Sequence, residues 1–152
     1  MGDSLFASNR DFLNWLAGYF DHGSCCKAKE AIARGYPILR INVAIYVDSE
    51  DAAGEIRDFF SFDGAKVRER KTPGKRYKYE IRATHEALSF AYQLLPYVKL
   101  RKSDLQKVID IINKWADDRI ESNVYRAGAR AMVEKVLDVR AMEMTGKLHI
   151  HK

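Results

Sequence analysis

The 152-residue sequence predicts a single α+β domain. Its expected order is αββαββα, with a curved four-stranded antiparallel sheet covered by helices on one side and extra helices at the C-terminal end. Three observations predict it. Apolar residues recur at helical spacing from Phe12 to Phe20. Residues 38–47 alternate, with Ile41, Val43, Ile45 and Val47 on one side and Arg40, Asn42, Ala44 and Tyr46 on the other. Two further short strands flank a Pro73-Gly74 turn. The core is expected over about residues 9–115, with a helical extension over about 116–146.

The elements follow in order. Ser8, with Asp11 three residues on, is an N-cap signal. The helix it opens carries Phe12, Leu13, Leu16, Tyr19 and Phe20 and ends near Asp21, because Gly23 and Ser24 break it. Residues 25–29 read as a strand, and Arg34-Gly35-Tyr36-Pro37 as a turn into the alternating strand. Ser49 caps a second helix striped by Ala53, Ile56, Phe59 and Phe60, and Asp63-Gly64 turns the chain. Residues 65–71 and 75–82 are strands joined by Thr72-Pro73-Gly74. Thr84 begins a third helix through Leu88, Ala91 and Leu95, which Pro96 stops. Ser103 and Gln106 form a capping box for a fourth helix carrying Leu105, Val108, Ile109, Ile112 and Trp115. Residues 117–144 read as one or two more helices. His149 and His151 fall in a frayed tail.

Composition excludes several classes. A 47% hydrophobic content is enough for a real core. No apolar run is long enough to span a membrane, and the N-terminus lacks a signal-peptide pattern. Cys25 and Cys26 are adjacent, which disfavours a disulfide between them, and they are too few for a zinc cluster. Free thiols fit a cytoplasmic protein, or an organellar or nuclear one, that is not secreted.

The net charge of +5 is local. Between Lys66 and Arg82 stand eight basic residues and two acids, so this stretch is more basic than the whole chain. Strand parity places Arg68 and Arg70 together in the third strand, Arg76, Lys78, Glu80 and Arg82 in the fourth, and Arg40 and Asn42 in the second. Lys27 and Lys29 extend the set along the first. Arginine and lysine pair with guanine edges or phosphates, and asparagine with adenine, so an open sheet face so furnished suits nucleic acid. Glu69 and Glu80 neutralise neighbouring arginines, and the Tyr77 and Tyr79 pair takes the opposite, core-facing parity.

Three motifs carry a family likeness. They are Leu16-Ala17-Gly18-Tyr19-Phe20-Asp21 on the first helix, Val67-Arg68-Glu69-Arg70 within the repeated strand-strand-helix order, and Leu95-Pro96-Tyr97-Val98-Lys99-Leu100-Arg101-Lys102 before the fourth helix. With these the chain resembles the LAGLIDADG homing endonucleases in their single-motif, homodimeric form. The resemblance implies a site-specific endonuclease that cuts both strands of DNA at a long pseudo-palindromic site. It implies a dimer joined along Leu16, Ala17, Gly18 and Phe20, with Arg40, Asn42, Arg68, Arg70, Arg76, Lys78, Arg82, Lys27 and Lys29 on the DNA. It also implies a divalent cation, usually magnesium, held by acids at the helix feet, with Arg101 and Lys99 at the scissile phosphate.

The family motif normally continues through a second aspartate, the metal ligand. This chain reads Asp21-His22-Gly23, one residue short. Either Asp21 takes the metal position or His22 does, and magnesium's preference for oxygen favours Asp21. A polar residue common near the end of the family's second strand is Val47 here, followed by Asp48. The resemblance therefore also carries an alternative: a scaffold that has lost its nuclease and binds DNA or intron RNA, as a maturase or regulator.

Overall fold

The computed structural model describes residues 6–71, 74, 76–122 and 127–148; Thr72, Pro73, His149 and His151 lie outside them. The elements are α1 (Asn9–His22), β1 (Ser24–Ala33), β2 (Tyr36–Val47), α2 (Glu50–Phe60), β3 (Lys66–Glu69), β4 (Tyr77–Ile81), α3 (Thr84–Leu94), α4 (Lys102–Ser122) and α5 (Ala127–Met144). The expected α+β order is present, and the strands form one antiparallel sheet in the order β1-β2-β4-β3.

Local chemistry accounts for most boundaries. The Ser8 and Ser49 hydroxyls accept from the amides of Asp11 and Ala52, each at 3.1 Å, and so start α1 and α2. β1 and β2 run longer than expected, because the turn between them uses only Arg34 and Gly35, with φ of 53° and 81°. Positive φ at both central residues matches the twist of a two-residue hairpin. Pro37 consequently lies within β2, opposite Ile32. β3 and β4 are shorter than expected. Pro96 ends α3 in a 3-10 turn, Leu95–Tyr97.

α4 departs most from expectation. It begins at Lys102 and continues through residue 116 to Ser122, so no break separates core from extension there. The Ser103–Gln106 capping box is replaced. The Gln106 amide nitrogen donates to Asp110 at 2.9 Å, and the chain entering α4 is held by Asp21 instead.

The register assigns each side chain a face. Cys26, Val43, Ile45, Val47, Tyr79 and Ile81 point into the helical layer and are buried there with Leu16, Phe20, Ile56, Leu88, Phe90, Leu94, Leu105 and Ile112. α5 closes the far side against α3 and α4 through Val133, Val136 and Val139. Among the described residues no helix is long and apolar enough to cross a membrane.

Candidate nucleic-acid interface

The opposite face of the sheet is the polar one. On it Lys27 pairs with Asn42 and Lys29 with Arg40 across β1 and β2, and all four are exposed. Arg68 pairs with Lys78, and Lys66 with Glu80, across β3 and β4. Tyr46 stands opposite Lys78 across β2 and β4, and the Arg70 guanidinium lies 4.4 Å above the Tyr46 ring. The parity read from the sequence is thus the parity of the fold. Tyr79 is buried on the other face and Tyr77 packs against the core.

Several of these cations are held by carboxylates. Glu80 is only 3% exposed, although it belongs to the open face. It accepts from Arg68 at 3.1 Å, Arg82 at 3.0 Å and Lys78 at 3.3 Å. The Arg82 guanidinium, followed by the Lys78 ammonium, holds the Glu80 carboxyl down to about 2 against the upward push of its burial. At the end of the β3–β4 hairpin, Arg76 pairs with Glu69 at 2.9 Å.

The foot of α1 lies at one end of β1 and β2. The Asp21 carboxylate accepts three backbone amides from the loop entering α4. Lys99 donates to Oδ2 at 3.0 Å, while Leu100 and Arg101 donate to Oδ1 at 3.0 and 3.1 Å. Three peptide donors converging on one carboxylate form an anion nest, with Asp21 as the anion. Gly23, the residue after His22, takes up the Tyr46 amide at its carbonyl at 3.0 Å and leads directly into β1.

Arg101 is built into the same structure. Its Nε donates to Asp104 at 2.9 Å, its Nη1 donates to the Ser24 carbonyl at 2.6 Å and also reaches the Ser24 hydroxyl, and the guanidinium lies 5.6 Å from the centre of the Phe20 ring. Lys99 is exposed beside it. Val47 is buried, and Asp48 accepts from the Tyr19 hydroxyl at 2.9 Å. Burial and the adjacent carboxylate both raise the Tyr19 hydroxyl above its usual range. The Tyr19–Asp48 bond had no signal in the sequence, since Tyr19 stands in the first motif and Asp48, 29 residues on, lies outside all three.

The expected dimer seam needs correction. Leu16, Ala17 and Phe20 are 0%, 2% and 0% exposed, sealed in the core of their own protomer. Only Gly18 of that set faces outward, in line with Asn14 and His22 at four-residue intervals. A Cβ placed on Gly18 meets nothing within 4 Å.

The magnesium expected at Asp21 is a poor match for these residues. The ion takes six oxygen ligands in octahedral array. Three N–H groups already draw on the Asp21 lone pairs, and they offset the negative charge that would attract a cation. Within a single protomer, among the described residues, no group of three or more His, Cys, Asp or Glu side chains is placed to hold a metal, and the expected site draws one acid from each of two subunits.

Comparison with family models gives no match, and neither does comparison with curated protein sequences. Solved structures do match. The homing endonuclease I-CvuI, in complex with an I-CreI target in the presence of magnesium, superposes with a TM-score of 0.56 at 17% identity, over 89% of this chain and 94% of that one. The archaeal intron-encoded homing endonuclease I-Vdi141I, complexed with DNA, gives 0.59 at 13% identity, over 88% and 85%. The LAGLIDADG homing endonuclease I-GzeII, in complex with its DNA target, gives 0.55 at 18% identity, over 85% of this chain but 43% of that longer one. The fold is that of the LAGLIDADG homing endonucleases, as the three sequence motifs imply.

Proposed function

We propose that this chain binds double-stranded DNA on the open face of its sheet, as a homodimer joined along the outer face of α1, and that it binds without cutting. One observation carries the last part: the Asp21 carboxylate is taken up by the amides of Lys99, Leu100 and Arg101. The acid does structural work, and the next residues, His22 and Gly23, supply no second carboxylate.

Binding rests on the cationic face. Lys27, Lys29, Arg40 and Asn42 form one exposed block, and Arg68, Arg70, Lys78 and Arg82 form an ordered one. Structures with this fold are complexed with DNA. Dimerisation rests on Gly18. An exposed glycine inside a helix costs about 1 kcal/mol relative to alanine, and close approach of a second backbone offsets that cost. Two identical subunits about a two-fold axis would meet a pseudo-palindromic site.

A second reading, a magnesium-dependent endonuclease, is favoured by the fold and by the cations Lys99 and Arg101 at the α1 foot. One experiment separates the two. A duplex enriched by the protein from a randomised pool is incubated with it, with and without magnesium. Retention of intact duplex in both conditions supports the binding reading, and metal-dependent scission supports the endonuclease.

A further inference from the structure

Glu80 is an anion at the centre of a cationic surface. Its near-complete burial on an open sheet face has a geometric cause. Lys78 stands two residues before it in β4 and Arg82 two residues after it, just past the strand's end; Arg68 reaches it from β3, and Ala44 stands opposite on β2. Ala44, opposite Glu80, adds only a methyl to this face, and the three cations contact the carboxylate from both strands. Three positive charges around one negative charge leave the cluster net cationic.

Without the carboxylate, Arg68, Lys78 and Arg82 would repel one another and sample many rotamers. With it, two guanidiniums and an ammonium are held in fixed directions. More than half of the Arg68 and Arg82 side chains remains exposed, at 54% and 68%. Planar forks that are fixed yet accessible can pair with the O6 and N7 of guanine in a major groove with little further ordering.

We propose that Glu80 is the positioning residue of this face: through Arg68, Arg82 and Lys78 it converts general attraction for phosphate into discrimination between base sequences. The inference rests on the reading that the open face binds DNA. Glu80 touches no base in this account. It gives up one unit of attraction and gains direction for three donors.

The test uses the full chain and two duplexes: one enriched by the wild-type protein from a randomised pool, and a scrambled duplex of the same length and composition. Dissociation constants for both are measured between about 50 and 300 mM KCl, where phosphate contacts dominate the salt dependence. The wild-type protein is compared with Glu80→Gln, which keeps the size and loses the charge, and with Glu80→Asp, which keeps the charge. In Glu80→Gln the scrambled duplex is expected to bind more tightly, with a salt slope steeper by about one. The preference for the enriched duplex is expected to fall about tenfold. Glu80→Asp recovers the greater part of that preference.

A Glu80→Gln protein with the wild-type preference overturns the inference, whatever its melting temperature. Equal weakening on both duplexes also overturns it, since that is the behaviour of a purely structural residue. A wild-type protein that enriches no duplex overturns both this inference and the DNA-binding reading beneath it.

Discussion

The Oδ1 atom of Asp21 lies 3.0 Å from the backbone nitrogen of Leu100, a residue 79 positions further along the chain. The bond joins the foot of α1 to the entrance of α4, and the Lys99 and Arg101 amides complete it. It makes the acid of the Leu-Ala-Gly motif a link between distant segments.

Removing that link should cost stability before it costs binding. Asp21→Asn replaces one acceptor oxygen with a donor that faces an amide. A loss of about 2 kcal/mol is expected, within the range for hydrogen bonds to charged groups. Thermal denaturation should register it as a fall of roughly 4–8 °C, with DNA affinity at permissive temperature changed less than threefold. An unchanged melting temperature would contradict the capping role.

Gly18 separates the protomer from the dimer. Because a Cβ there meets nothing within 4 Å in one protomer, Gly18→Leu should leave the chain folded by circular dichroism. Sedimentation should then find a monomer at concentrations where the wild-type protein is a dimer. A Gly18→Leu dimer as tight as the wild type would place the seam elsewhere.

The Glu80 cluster predicts a pH dependence of stability. The folded-state pKa is lowered from 4.5 to about 2, so the stabilisation is complete above about pH 4.5 and is lost as pH falls toward about 2. Its partners Arg68 and Arg82 are more than half exposed, so solvent screening limits the term to roughly 2 kcal/mol. Urea midpoints measured from pH 6 down to pH 2 should fall more steeply in the wild-type protein than in Glu80→Gln. Parallel curves would show that the ion pairs contribute no net stability.

Lys29 and Arg40 are paired across β1 and β2 on the open face, whereas Arg57 lies on α2. Removing either of the first two should lower the salt slope of DNA binding by about one unit. Arg57→Ala should leave the slope unchanged, and equal effects at all three positions would argue against a defined binding face.

Much of this was legible in the sequence because the signals are local. The Ile41, Val43, Ile45, Val47 alternation specifies which face of β2 enters the core, and Ser8 and Ser49 specify where two helices begin. What was not legible depends on segments distant in sequence. Ser103 and Gln106 have the spacing of a capping box, but a carboxylate about eighty residues upstream holds the approach to α4. Leu16 and Phe20 read as a seam because motif spacing does not say which side of a helix the protomer keeps for itself. Glu80 read, with Glu69, as an acid neutralising neighbouring arginines, and it does so; that Arg68 joins Arg82 on the same carboxylate follows only from the β3–β4 register.

The central claim is that the α1 foot carries a structural acid beneath a DNA-binding sheet. The most direct measurement incubates the full chain with its enriched duplex in magnesium, at a protein concentration that saturates binding, and resolves both strands on a denaturing gel. The expected result is a shifted complex whose DNA is recovered at full length. Strand scission that requires magnesium and disappears in Asp21→Asn would contradict it.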